Sequence, residues 1–451
     1  MYRKTRLGYA PLSQPYFSKD WAHKIHAQSL AALGSMIGIE LHHPAEMITT
    51  EEDARKTAKG FRQEDIDVLL IQSINCDLAI PATILGQECH VPLLVWSTPE
   101  PLLQDKPLLA NSLCGGMIIT STLRRLGVKY KHVHGAPDDT QFLTRMAKSI
   151  EAAAIIPRLR ESRLGLVGYQ VPGFHHISFD EMLLRRVFGV QLQHIDISEI
   201  SAESKKIPGD AVAAEVRAIK NDSRESPNLR IADFNSSALL SISIKNLCQK
   251  YGLQAVAVKC MPELLNEFQI VPCAALGKIT DDGIMAACEG DVAGALTMLV
   301  EYYLTRVQPF FVDLISVDEK SNTGVGWHCG NGPASIAEDA RRITFSHHSI
   351  FSEPPLGLAR DFVCKTGEVT FARISERETG YMIFAAGGAA VKMDSAPRGT
   401  AIKIRFYEPI DKINEFLFDQ GVENHFAVAY GDIREQLRDF AKWSSMESVI
   451  F

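Results

Sequence analysis

The sequence predicts an α/β protein: two wound α/β (Rossmann-like) domains followed by a C-terminal β-rich domain, an antiparallel sheet or barrel. Three observations predict it. Through the first third of the chain, short apolar runs alternate with longer helical patterns, as parallel strands joined by crossover helices do. Near Ser162 the pattern starts afresh with RLGLVGYQVPGF, a compact apolar strand running into a Gly/Pro loop. Beyond about residue 312 the texture changes to β-rich runs split by Gly and Pro. The expected domains are therefore 1–158, 159–312 and 313–451.

In the first domain the expected strands are 6–10, 67–74 and 92–96, with helices Lys19–Gly34 and Glu51–Gln63 between them. In the second, strands are expected at 191–197 and 254–259, with a helix over 235–251. A further helix is expected over 281–304, where Asp281 or Asp282 is placed to cap it and Ile284, Met285, Cys288, Val292, Leu296 and Leu299 recur at helical spacing. GEVTFARI, YMIFAAGGAAVKM and AIKIRFYEP supply the strands of the third domain, and the chain closes with a helix over 432–443.

A chain of 451 residues can bury several cores without disulfide or metal staples. No apolar run approaches the roughly 18 to 20 residues that cross a bilayer, so no membrane span is expected. The 47 basic and 54 acidic residues give a net charge of −7, interspersed along the chain, which argues against nucleic acid as a partner. The opening MYRKTRLGYAPLSQPYF lacks the apolar core of a signal peptide, and a cytoplasmic location is expected. Nine cysteines without a C-x-x-C pair read as reduced, mostly buried thiols rather than a zinc ribbon or redox centre.

The most informative stretch for chemistry is DDGIMAACEGDVAGALTMLVEYYL. It sets Glu289 among positions expected to be buried, where a carboxylate must be paired, protonated or bound to a metal. Taken alone, Glu289 and Asp291 are polar residues at a kink around Gly290. Partners follow in the chain: Asp313 inside the apolar PFFVDLISVD, His328 in the Gly-rich GVGWHCGNGP, and His425 at the start of a strand in ENHFAVAYGD. Two carboxylates with one or two imidazoles suit Mn²⁺ or a similar divalent ion. The pairs His42–His43, His175–His176 and His347–His348 are expected on the surface or in loops, since adjacent strand residues point to opposite faces.

DVLLIQSINCD, VPLLVWSTPEP, NSLCGG, LGLVGYQVPGF, VKCMPEL, ACEGDVAGALTM, FFVDL, WHCGNGP and ENHFAVAYGD together resemble the L-fucose isomerase and L-arabinose isomerase superfamily, which interconverts aldoses and ketoses. The resemblance runs from about residue 67 to the C-terminus. It implies that Glu289 and Asp313 are the acid/base pair and metal ligands, that His425 is the last metal ligand, and that Asn424 contacts substrate. His328 stands where the arabinose branch has an additional metal histidine. The resemblance also implies trimers or hexamers in which the N-terminal domain of a neighbour closes the cleft, with Trp96 among the residues that would do so. Lys259 in VKCMPEL ends a strand and is a candidate for bordering the cleft.

The expected reaction is metal-dependent isomerisation of an open-chain monosaccharide through an enediol, with Mn²⁺ as the expected metal. The chain is shorter than the fucose enzymes between Asp313 and His425, and its first sixty residues match weakly, so the sugar stays open. One alternative is a modified sugar with an anionic group, toward which Arg398 in SAPRGTAIKIRF points. A metal-dependent lyase or aldolase on the same scaffold is another, and a sugar-binding protein without catalysis is disfavoured by the Glu289, Asp313 and His425 set.

Overall fold

The computed structural model describes residues 3–451 apart from 77–78, 103, 105–106, 221–223, 226–227, 351–355 and 394–395. Contacts divide the chain into two units: Met1–Arg158 with Lys442–Ser444, and Leu159–Ala441 with Ser445–Phe451.

The first unit is built on a five-stranded parallel sheet in the order Ile39–His42, Thr5–Leu12, Val68–Ser73, Leu93–Ser97, Tyr130–His134. VLLIQS and LLVWS are buried along their whole length, as strands covered by helices on both faces must be, which is why they read as unbroken apolar runs. The flanking strands IELH and YKHVH are largely half-buried and mostly polar, and so carry no such signal. The helix Glu51–Gln63 begins with a capping box in which the Thr50 hydroxyl accepts from the Asp53 N–H and the Asp53 carboxylate accepts from the Thr50 N–H. Its buried face is Ala54, Thr57, Ala58 and Phe61. Gly8 lets this helix approach the first strand, because a Cβ there would lie 2.5 Å from Ile66 and 3.2 Å from Phe61.

The second unit holds a four-stranded parallel sheet in the order Met285–Cys288, Ala255–Val258, Arg163–Val167, Gln191–Ile195. Its first strand in sequence lies between its second and third, so the winding direction reverses there. Ligands of open α/β sheets collect beyond the carboxyl ends of strands at such a reversal.

The same unit holds an antiparallel barrel. The strand Phe310–Asp318 pairs with Thr323–His328, then in turn come Thr400–Phe406, Gly380–Val391, Gly367–Arg377 and His425–Tyr430, which returns to Phe310–Asp318 and closes the ring. Closure removes the unpaired edges of the six strands. The core of this part is filled by side chains: the rings of Phe371 and Phe426 stack at 4.2 Å, and Phe384 and Phe406 meet Phe371 edge-on.

One expected element is corrected. Residues 281–304 are not one helix: a helix ends at Asp281, the buried strand Met285–Cys288 follows, and a new helix runs Val292–Thr305. A four-residue strand buried on both faces has no period of its own, so MAAC is indistinguishable by spacing from a helical segment.

Candidate active site

Glu289 leaves the carboxyl end of the strand Met285–Cys288 with a left-handed backbone (φ 65°), followed by Gly290 (φ 79°). Holding a non-glycine residue in this region costs about 1–2 kcal/mol. The turn is fixed from two sides. The Gly290 N–H donates to the Val258 carbonyl at 3.2 Å, and a Cβ on Gly290 would lie 2.1 Å from the Tyr169 carbonyl oxygen. Asp291 then caps the helix Val292–Thr305, accepting from the Gly294 N–H at 2.7 Å.

The barrel contributes the other side. Asp313 and His425 are directly opposed on adjacent antiparallel strands, and His328 is the last residue of the next strand. His425 Nε2 lies 3.0 Å from Glu289 Oε2 and 3.7 Å from Asp313 Oδ1. One donor atom each from Glu289, His328 and His425 fall within 4.8 Å of one another. The Phe311 ring packs against both imidazoles, with centroids at 5.6 Å from His328 and 4.7 Å from His425.

Behind the site lies a buried ionic support. The Nδ1 of His425 is 2.9 Å from Asp291 Oδ2, and Asp291 receives two hydrogen bonds from Arg373, at 2.5 and 3.2 Å. Asp291 and Arg373 are both fully buried. Burial alone would push Asp291 up, but the Arg373 guanidinium and His425 outweigh it and hold the carboxyl well below its usual range. Burial likewise opposes ionisation of Glu289, and His425 beside it pulls it below the ordinary value. For His425, burial disfavours the cation, yet Asp291 and Glu289 raise its pKa to about 10.

The donor set fits a hard or borderline divalent ion. The oxygen donors of Glu289 and Asp313 converge with the imidazole of His425, whose Nε2 is buried without a hydrogen-bond partner among the described residues. The close approach of His425 Nε2 to Glu289 therefore lacks hydrogen-bond geometry, as expected where two donors face a common point instead of each other.

The sequence-predicted residues Glu289, Asp313, His328 and His425 are thus brought together. Asn424 joins them: its amide donates to Asp313 Oδ1 at 2.6 Å, and its oxygen is 2.8 Å from His176 Nε2. Lys259 follows the strand Ala255–Val258 at the same carboxyl edge as Glu289, nearly buried, its ammonium 2.7 Å from Glu263. Trp96 is not brought to a surface. It is fully buried in the first unit, donates through Nε1 to the Gly135 carbonyl at 2.9 Å and packs on Phe142, so in this chain it is a core residue. His175 and His176 are exposed, whereas His347 and His348 are buried, with His347 Nε2 at 3.4 Å from Asp233. The cysteines are free, and seven of them are buried.

Sequence reasoning missed Arg373 and gave Asp291 no role beyond a kink. The signal was there: an arginine inside the apolar run VTFARI needs a buried anion. What the sequence could not supply was which carboxylate meets it.

Comparison with known proteins adds the following. Residues 8–160 match the family model for the fucose/sulfoquinovose isomerase N-terminal domain. The chain is 28% identical over 456 residues to a sulfoquinovose isomerase of Priestia aryabhattai, covering all of both chains. It is 26% identical over 440 residues to one of Alkalicoccus urumqiensis, covering 96% of each chain, and 24% identical over 449 residues to one of Clostridium sp. (strain MSTE9), covering 99% of each.

Proposed function

Because the chain belongs to the fucose isomerase-like superfamily and is a sugar isomerase, we propose that it interconverts an anionic, sulfonated aldose with its ketose, using a divalent ion such as Mn²⁺ held by Glu289, Asp313 and His425. One observation carries the metal reading: Glu289, Asp313 and the buried Nε2 of His425 converge, with His425 oriented from behind by Asp291. The carboxylate–histidine pair is the usual support of a metal-bound imidazole, fixing its tautomer and raising its basicity. Full-length similarity to sulfoquinovose isomerases supports the choice of substrate class.

The bound ion supplies Lewis acidity at the carbonyl and hydroxyl oxygens of the open-chain sugar. Glu289, which the charge of the bound ion would keep ionised, takes the proton from C2. Asp313, whose Oδ1 accepts from the Asn424 amide, lies opposite and carries the O2 hydroxyl proton to O1, and Glu289 then returns its proton to C1, which completes the enediol route and restores both carboxylates. The exposed Asn424, tied to His176, orients a sugar hydroxyl at the outer side. Lys259, at the carboxyl edge of the second parallel sheet, meets the sulfonate, and the substrate's negative charge replaces the ammonium's present partner Glu263.

The test is product analysis by NMR on a panel of neutral and sulfonated aldoses and ketoses, with protein stripped of metal and then given Mn²⁺. Conversion of the sulfonated aldose only with metal supports the reading. Cleavage of the carbon chain would replace it with a lyase, and conversion of a neutral sugar alone would discard the anionic substrate.

A further inference from the structure

Two buried imidazoles face this site, and their rings are wired in opposite senses. His425 gives its Nδ1 to the carboxylate of Asp291, a partner that only accepts, so Nδ1 keeps its proton and Nε2 is the nitrogen whose proton a cation can displace. His328 is the reverse. The Cys329 backbone N–H donates to its Nδ1 at 2.8 Å, so that nitrogen presents the lone pair and the neutral ring carries its proton on Nε2. This Nε2 is buried and has no hydrogen-bond partner among the described residues. The ring is also held in place by Phe311, which packs on it with centroids 5.6 Å apart.

A nitrogen bearing a proton is not a metal ligand. Burial disfavours a doubly protonated ring, while the Cys329 side chain and then Asp313 and Glu289 favour one and outweigh it, but the second proton would sit on Nδ1, head to head with the Cys329 N–H. We propose that His328 stays outside the metal's coordination sphere and donates its Nε2–H to the substrate oxygen on which negative charge develops as the C2 proton leaves. The proposal takes the isomerase reading above as its premise. A donor already in place, buried and without a competing partner, stabilises such an oxyanion with no reorganisation, and removing one donor of this kind typically costs about 10²–10³-fold in rate.

The experiment uses the full-length protein with ¹⁵N-labelled histidine, unmutated and as His328→Gln and His328→Leu. Long-range ¹H–¹⁵N spectra of the metal-free unmutated protein, with His328 assigned by its loss in the variants, are expected to show a proton on Nε2 and none on Nδ1. Electron spin echo envelope modulation of the Mn²⁺-loaded protein is expected to show one histidine nitrogen on the metal, unchanged in His328→Gln. In His328→Leu, kcat is expected to fall about 10²–10³-fold with Mn²⁺ affinity within about threefold, while His328→Gln, which keeps an N–H donor, recovers part of the rate. A proton on His328 Nδ1, two histidine nitrogens on Mn²⁺, or a loss of Mn²⁺ affinity of about 10²-fold in either variant overturns the proposal. Failure of the isomerase reading is a separate result, seen as no conversion of any sugar by the unmutated protein. The spectra of the metal-free protein decide the wiring of His328 in either event.

Discussion

Asp291 and His425 stand 134 residues apart in the chain and 2.9 Å apart in space, a helix cap of the α/β sheet bonded to the first residue of a barrel strand. Asp291 serves three groups at once: it caps the helix, neutralises the buried Arg373 and sets the tautomer of His425. Replacing it with asparagine is expected to weaken Mn²⁺ binding by about 10- to 100-fold, the usual cost of losing a carboxylate behind a ligating histidine. Because Arg373 is left buried with weaker compensation, stability is also expected to fall by roughly 3–5 kcal/mol. Metal titration by calorimetry and urea unfolding of the metal-free protein check the two effects separately.

Glu289→Gln is expected to lower kcat by about 10²–10⁴-fold, the range of a positioned general base, with little change in unfolding midpoint. The conservative change preserves shape in a side chain that is already partly exposed, at 17%. Exchange of the substrate C2 proton with D₂O solvent, followed by NMR, should disappear with it. Persistent exchange in the variant would move the base role to Asp313.

Gly290→Ala tests the turn rather than the chemistry. Its φ of 79° and the 2.1 Å approach to the Tyr169 carbonyl leave no room for a methyl group, and the loop or the turn must shift. Activity is expected to fall by more than tenfold, because a displacement of about 1 Å in a catalytic group is enough to cost roughly 10²-fold. A variant with unmutated kinetics would show that the turn does not position Glu289.

Lys259→Met is expected to raise KM for a sulfonated aldose by about 10- to 100-fold, the worth of one charged hydrogen bond. Conversion of a neutral aldose analogue, if measurable, should change far less. Equal loss on both sugars would mean that Lys259 supports the fold through Glu263 instead.

Asp233 gives a pH prediction away from the site. Burial would raise its pKa, but Arg230, which donates to it from both backbone and guanidinium, and His347 hold it below the usual carboxylate value. A depressed folded pKa adds stability that is present above the unfolded value near 3.9 and is lost as pH falls through the folded one. Asp233→Asn is therefore expected to lower the melting temperature at pH 7 and to lose that difference as the pH falls through the folded value. A pH-independent difference would assign the effect to packing.

The fold was legible where burial imposes a pattern. The doubly covered strands Val68–Ser73 and Leu93–Ser97 announce themselves as apolar runs, and the long barrel strands do so as β-rich runs. It was illegible where strands are short or half covered, as in IELH, YKHVH and MAAC. Glu289, Asp313, His328 and His425 could be picked out because each is a polar residue in an apolar or Gly-rich setting. Asp291 with Arg373 escaped because pairing across distant elements leaves no spacing to read, and the two imidazoles looked equivalent until their backbone and carboxylate partners were visible.

Ring closure through the strand His425–Tyr430 also orders events in time. Synthesis proceeds from the N-terminus, so the α/β sheet bearing Glu289 and the strand bearing Asp313 leave the ribosome well before His425 does. Until that late strand slots between Phe310–Asp318 and Gly367–Arg377, Asp291 lacks one partner and the donor set lacks an imidazole. On the metal-dependent reading proposed above, a nascent or C-terminally truncated chain would have no complete cation site, and acquisition of the ion would be a checkpoint passed only by molecules whose barrel has closed.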